Sequence, residues 1–108
     1  MKIFKILGLC TFLSATLLGK EIDITAYNWG YEPKEIVLKK DEPVKLTLIS
    51  KEGDHGLGSR DLGFNLEASP GKAQTVEIIP KEVGEYTAKC TLPCGSGHKK
   101  MLLKIKVE

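Results

Sequence analysis

Polar and hydrophobic residues alternate at every second position in several short segments of the chain, which is the pattern of half-buried β-strands. The clearest are 21–27 and 44–49, and in the latter Val44, Leu46 and Leu48 fall on one face. Further strands are predicted over 34–39, 60–66, 73–79, 84–90 and 101–107. The 60–66 strand is expected to be short or irregular.

Seven or eight short strands separated by turn residues predict an all-β fold, a Greek-key β-sandwich. Segment 50–59 contains three glycines and several charged side chains, and it is predicted to be a long loop. Neither an internal repeat nor a low-complexity tract divides the 108 residues. We therefore expect one small domain and exclude a two-domain enzyme.

The N-terminal residues differ in character from the rest of the chain. Lys2 and Lys5 precede an uncharged, largely apolar run over 6–19, which is shorter than the roughly 20 residues that span a membrane. This order is typical of a secretory signal peptide, with a short uncleaved membrane anchor as the alternative. We predict a signal over 1–19 and an exported or periplasmic domain over 20–108. Membrane association is expected only if the first segment stays attached.

The charge balance of the predicted domain excludes one class of partner. Two of the 16 basic side chains lie in the signal segment, which leaves 14 basic against 14 acidic ones. A neutral domain gives no reason from composition to expect nucleic-acid binding, and none is predicted. Since the chain has only two histidines and no evident nucleophile paired with a base, no catalysis is expected from it alone.

Side chains that bind soft metals cluster near the C-terminus. Cys90, Cys94, His98 and Met101 follow the pattern Cys-x3-Cys-x3-His-x2-Met, and His55 adds a second imidazole. Thiolate, thioether and imidazole suit copper, whereas calcium and magnesium prefer carboxylates, which are absent between the first cysteine and the methionine. Zinc is chemically possible with two cysteines and two histidines, but the spacing is not that of a zinc finger.

Each of these residues also has a simpler interpretation. In an oxidising compartment Cys90 and Cys94 can form a disulfide that closes a short loop. Met101 begins an apolar strand and can belong to the core, and His55 can be an ordinary histidine of a surface loop. A mononuclear blue-copper site needs only one cysteine, which would leave Cys94 without a role.

The segment 90–101 resembles the loop that holds the binuclear copper (CuA) centre in subunit II of cytochrome c oxidase. The similarity covers essentially all of residues 21–108. Outside the loop it includes 29–32, 54–56, 65–71 and 83–86. The resemblance implies a cupredoxin fold.

The resemblance also implies the copper ligands, which are His55, Cys90, Leu92, Cys94, His98 and Met101. The thiolates of the two cysteines would bridge two copper ions. His55 would bind one ion and His98 the other. The sulfur of Met101 and the backbone carbonyl of Leu92 would be weak outer ligands.

The function implied by the resemblance is electron transfer in the cell envelope. The partner would be a redox protein such as a cytochrome c or an oxidase subunit, and the chain could itself be the subunit through which an oxidase receives electrons. The family's subunit usually has one or two transmembrane helices before its copper domain, whereas this chain has only the signal-like run. The alternative is a periplasmic copper carrier or storage protein that delivers copper to an oxidase.

A group of lysines lies on either side of the candidate ligand loop. Lys89, Lys99 and Lys100 are the basic residues there, and no acidic residue lies inside the loop. Their simplest role is solubility. The functional interpretation is that they attract an acidic patch of a redox partner, with Tyr27 and Trp29 at the centre of the contact.

Overall fold

The computed structural model describes residues 20–93 and 98–108, which form strands, turns and one short 3-10 helix at His98–Lys100. The strands are β1 (Lys20–Tyr27), β2 (Gly30–Glu32), β3 (Glu35–Leu38), β4 (Val44–Ser50), β5 (His55–Ser59), β6 (Phe64–Ala68), β7 (Gln74–Ile78), β8 (Gly84–Lys89) and β9 (Leu102–Val107). The predicted all-β fold is confirmed, with nine strands in the described part of the chain rather than seven or eight.

The strands form two sheets. One has the order β2-β1-β4-β7, and the other has the order β3-β9-β8-β5-β6. The pairs β1-β4 and β3-β9 are parallel, whereas the other paired neighbours are antiparallel. Because the chain passes repeatedly from one sheet to the other, strands distant in sequence become neighbours in a two-layer sandwich.

The core lies between the two sheets. Val44, Leu46 and Leu48 of β4 are buried, as their alternation predicted. Leu57 and Ile105 are buried from the other sheet and belong to the same hydrophobic cluster. Each fully buried side chain of this size contributes about 1.5–3 kcal/mol relative to exposure, so this cluster holds the two sheets together.

The prediction of a long loop over 50–59 is wrong for its second half. Residues 55–59 form β5, and all of them are buried. Glycines usually indicate a loop, but here they allow another segment to approach closely. A Cβ atom at Gly58 would lie 2.9 Å from Cγ2 of Thr91, for example.

Two further strands differ from the prediction. The strand expected over 60–66 begins only at Phe64, because a turn containing Gly63 at φ 76° precedes it. Strand β2 has three residues, which are too few to show an alternating pattern. It pairs with the end of β1 and brings Tyr31 into the sandwich, where the tyrosine is buried.

The predicted signal over 1–19 lies outside the described residues, and the domain boundary stays a prediction. Within residues 20–93 and 98–108, the structure contains no helix with the length and apolar character needed to cross a membrane.

Candidate metal centre

Three of the predicted ligands meet at one end of the second sheet. His55 begins β5, Cys90 directly follows β8, and Met101 directly precedes β9. Because β8 runs antiparallel to both of the other strands, these three positions lie at the same end of the sheet. The exposed fractions of the three residues are 1%, 2% and 0%, so they lie out of contact with water.

Backbone hydrogen bonds hold the three positions together. The N–H of Cys90 donates to the carbonyl oxygen of Met101 at 3.3 Å. The N–H of Gly56, the residue after His55, donates to Sγ of Cys90 at 3.5 Å. The candidate ligands are therefore fixed by strand ends, which define atomic positions more closely than a loop does.

His55 is the most unusual residue of this group. Both of its ring nitrogens are buried, and neither has a hydrogen-bond partner among the described residues. A buried polar group without a partner costs about 1–3 kcal/mol, and native proteins have few of them. The histidine is therefore not the surface residue of the simpler interpretation. A neutral imidazole with an unused nitrogen is a common metal ligand.

An aromatic ring contacts the imidazole. The rings of Trp29 and His55 are 6.4 Å apart between centroids and meet edge to face at 87°. Trp29 is only partly buried, and it packs against the hydrophobic core. It therefore contacts the histidine ring without supplying a hydrogen bond to it.

The sulfur of Cys90 is adjacent to another predicted ligand. Its thiol donates to the backbone carbonyl of Leu92 at 3.3 Å. A cysteine that binds a metal loses its proton, and this hydrogen bond would then be lost with the carbonyl still beside the sulfur. The donor set at this end of the sheet, an imidazole and a thiol with a carbonyl near the thiol, fits copper.

The segment after Cys90 is anchored to the rest of the sheet. The hydroxyl of Thr91 donates to Oδ1 of Asn65 at 2.7 Å. A Cβ atom at Gly56 would collide with the hydroxyl of Thr91. Only glycine at position 56 therefore leaves room for the segment that follows Cys90. Sequence reasoning missed these contacts, and the pair of glycines in β5 is the signal that indicates a close approach.

A tyrosine from the other sheet completes the arrangement. The hydroxyl of Tyr31 donates to the carbonyl oxygen of Gly56 at 2.5 Å, and this bond is buried. Gly56 is thus hydrogen-bonded on both sides, through its carbonyl to Tyr31 and through its N–H to Cys90. Sequence analysis had given Tyr31 no role.

The remaining predicted ligands are not tested by these contacts. Cys94 and the side chain of His98 lie outside the described part of the chain. Among the residues that are described, no three His, Cys, Asp or Glu side chains form a group suited to a metal ion. Met101 is fully buried, which agrees equally with a core residue and with a weak ligand.

Comparison of the sequence with known families matches residues 4–99 to the cupredoxin-like domain. Cytochrome c oxidase subunit 2 of Vanderwaltozyma polyspora is 26% identical over 72 residues, which cover 67% of this chain and 29% of that protein. The chain thus spans less than a third of the length of the curated relatives that it matches.

Solved structures agree with this assignment. The periplasmic domain of subunit II of cytochrome oxidase from Bradyrhizobium japonicum superimposes with a TM-score of 0.74 at 17% identity, over 82% of this chain and 83% of that one. A copper-binding protein solved in its apo form has a TM-score of 0.62 at 29% identity, over 83% and 89%. The resemblance to oxidase subunit II and the predicted cupredoxin fold are confirmed. The chain belongs to the cupredoxin-like family.

Proposed function

We propose that the protein transfers electrons in the cell envelope through a binuclear copper centre of the CuA type. The observation that carries the proposal is His55, whose two buried ring nitrogens have no hydrogen-bond partner among the described residues. The next residue, Gly56, donates its backbone N–H to the sulfur of Cys90. Copper as the metal is supported by the cupredoxin-like family and by the copper-binding relative.

The proposed ligands are those implied by the sequence, which are His55, Cys90, Leu92, Cys94, His98 and Met101. Bound copper would supply one-electron redox chemistry. The chain would hold its ligands in nearly one geometry, because the strand ends and the hydrogen bonds of Gly56 fix His55 and Cys90 before any metal binds. Such second-layer contacts orient ligands and tune the metal.

The location and partners are also part of the proposal. The signal-like N-terminus and the periplasmic origin of a structural relative support an exported domain. A redox protein such as a cytochrome c or an oxidase subunit would exchange electrons with it. The protein would then act as an electron-receiving component of an oxidase and would not reduce oxygen itself.

A second candidate function is copper carriage or storage in the periplasm. It is favoured by the relative named as a copper-binding protein in its apo form. Thr91 and Pro93 are exposed next to Cys90, so the described part of the loop is open to a recipient protein. A carrier needs a site from which copper leaves readily.

Repeated redox cycling of the copper-loaded protein in the presence of a cuprous chelator separates these functions. An electron-transfer protein is expected to keep its copper and to give the same optical change in every cycle. Loss of copper to the chelator on the first reduction, with no reversible optical change, would contradict electron transfer and support the carrier. His55→Leu serves as the control, because it should fail to retain copper in either case.

A further inference from the structure

A groove of about 390 Å³ lies beside the candidate metal centre, where β2 of one sheet meets β9 of the other. We call it the lysine groove. Its lining residues are Tyr27, Trp29, Gly30, Tyr31, Lys34, Lys100, Leu102 and Lys104. Aromatic and aliphatic side chains thus form its interior, together with three lysines.

The charge of the lysine groove is of one sign. Lys34, Lys100 and Lys104 are exposed, and no acidic residue lines the groove. None of them forms an ion pair with the part of the chain that is described, where Lys81 and Asp41 are paired at 3.9 Å. Residues 20–108 carry as many acidic as basic side chains, whereas the charged residues that line this groove are all lysines. Such a patch attracts anionic groups.

The positions of the lysines are fixed by the fold. The backbone N–H of Lys104 donates to the carbonyl oxygen of Lys34 at 3.1 Å, so these two residues lie next to each other across neighbouring segments. The nearest carboxylate in the strand register is that of Glu35, opposite Lys104, and it does not line the groove.

The groove also has an apolar contact surface that leads to the metal centre. Leu102 is 51% exposed, which is high for a leucine in a strand. Trp29 lines the groove and also meets the ring of His55 edge to face. A molecule in the groove would therefore touch a side chain that contacts a candidate copper ligand.

We propose that the lysine groove docks an acidic redox protein, whose carboxylates pair with Lys34, Lys100 and Lys104 around a small apolar contact on Leu102. This inference rests on the proposed electron-transfer function. It changes the prediction made from sequence, because of the three lysines named there only Lys100 lines the groove. The contact with Trp29 and His55 favours a redox protein over an anionic membrane or a nucleic acid, which have no need of a path to the metal.

A redox-inert anion maps the groove without any copper. We expect hexacyanochromate(III), which is paramagnetic, to broaden the amide signals of Lys34, Lys100 and Leu102 in the isotope-labelled apo protein. The triple variant Lys34→Glu, Lys100→Glu, Lys104→Glu should abolish this broadening. The control variant Lys39→Glu, Lys45→Glu, Lys51→Glu changes the net charge equally at other exposed positions and should preserve it. Unchanged broadening in the triple variant of the groove lysines would overturn the proposal.

Electron transfer from a c-type cytochrome with an acidic haem edge tests the partner itself. At low ionic strength the groove variant should lower the second-order rate about tenfold or more, and added salt should remove most of the difference. The control variant should stay within about twofold of the parent protein. Equal rates for the parent and the groove variant would overturn the proposal, as would faster reaction with a cytochrome that has a basic haem edge.

The same variants decide between the classes of partner. Tighter lysine-dependent binding to phosphatidylserine vesicles or to a single-stranded oligonucleotide than to the acidic cytochrome would overturn the proposal of a protein partner.

The proposed function and this inference can be tested separately. If the protein cycles reversibly and the groove variant reacts at the parent rate, only the docking site is wrong. If the protein has no redox activity, broadening by the inert anion still tests the groove.

Discussion

The N–H of Cys90 donates to the carbonyl oxygen of Met101 at 3.3 Å, which joins the two ends of the candidate ligand loop. The hydrogen bond continues the pairing of β8 with β9 beyond their last paired residues. The loop is therefore closed at its base by the sheet. The two candidate ligands at its ends, Cys90 and Met101, are therefore positioned by the fold itself.

Met101 is the residue whose structural and metal-binding interpretations differ most. We expect Met101→Leu to keep the copper and to cost less than about 1.5 kcal/mol of unfolding free energy, because the two side chains have similar volumes. A thioether ligand nevertheless tunes the redox potential, so voltammetry should show a shifted potential. An unshifted potential with full copper content would return Met101 to the core.

His55 is expected to stabilise the protein only when a metal is bound. Two buried nitrogens without partners among the described residues cost free energy in the apo protein, so His55→Leu should leave the apo unfolding free energy unchanged or raise it. Copper should stabilise the parent protein and have a much smaller effect on the variant. Urea unfolding with and without copper measures both effects. A loss of more than about 2 kcal/mol in the apo variant would instead mark His55 as a structural residue.

Tyr31 is expected to act on the metal centre through Gly56. Tyr31→Phe removes the hydroxyl that donates to the buried carbonyl of Gly56. It should lower the unfolding free energy by about 1–3 kcal/mol and shift the optical bands of the copper-loaded protein. Tyr86 provides a matched control, because its hydroxyl donates to the exposed backbone carbonyl of Glu82 at 2.8 Å. Tyr86→Phe should leave the copper bands unchanged. If both variants give the parent spectrum, Tyr31 has no part in shaping the site.

The two cysteines are expected to be equally necessary for the binuclear centre. Cys90→Ser and Cys94→Ser should each abolish the optical and magnetic signature of a mixed-valence copper pair, because each removes one bridging thiolate. An unchanged spectrum in Cys94→Ser would show that one cysteine suffices, as in a mononuclear blue site.

The sequence predicted those features that depend on local patterns. Alternation placed Val44, Leu46 and Leu48 on the buried face of β4. The spacing of soft side chains identified the candidate ligand loop, and the structure places its first and last residues next to each other.

Features that depend on contacts between distant residues were not predictable in the same way. The glycines of β5 are typical of a loop in the sequence, and only the structure shows that Thr91 packs against them. The lysine groove joins Lys34 to Lys104, which are far apart in sequence and become neighbours only when β3 pairs with β9. Such juxtapositions follow from the topology of the sheets and leave no local signal.

Copper content and electron paramagnetic resonance, measured together on the copper-loaded parent protein, test the central claim most directly. We expect two copper ions per chain and a hyperfine pattern from one unpaired electron shared equally by both nuclei. One copper ion per chain, with the hyperfine pattern of a single nucleus or with no signal from a cuprous ion, would contradict the binuclear centre.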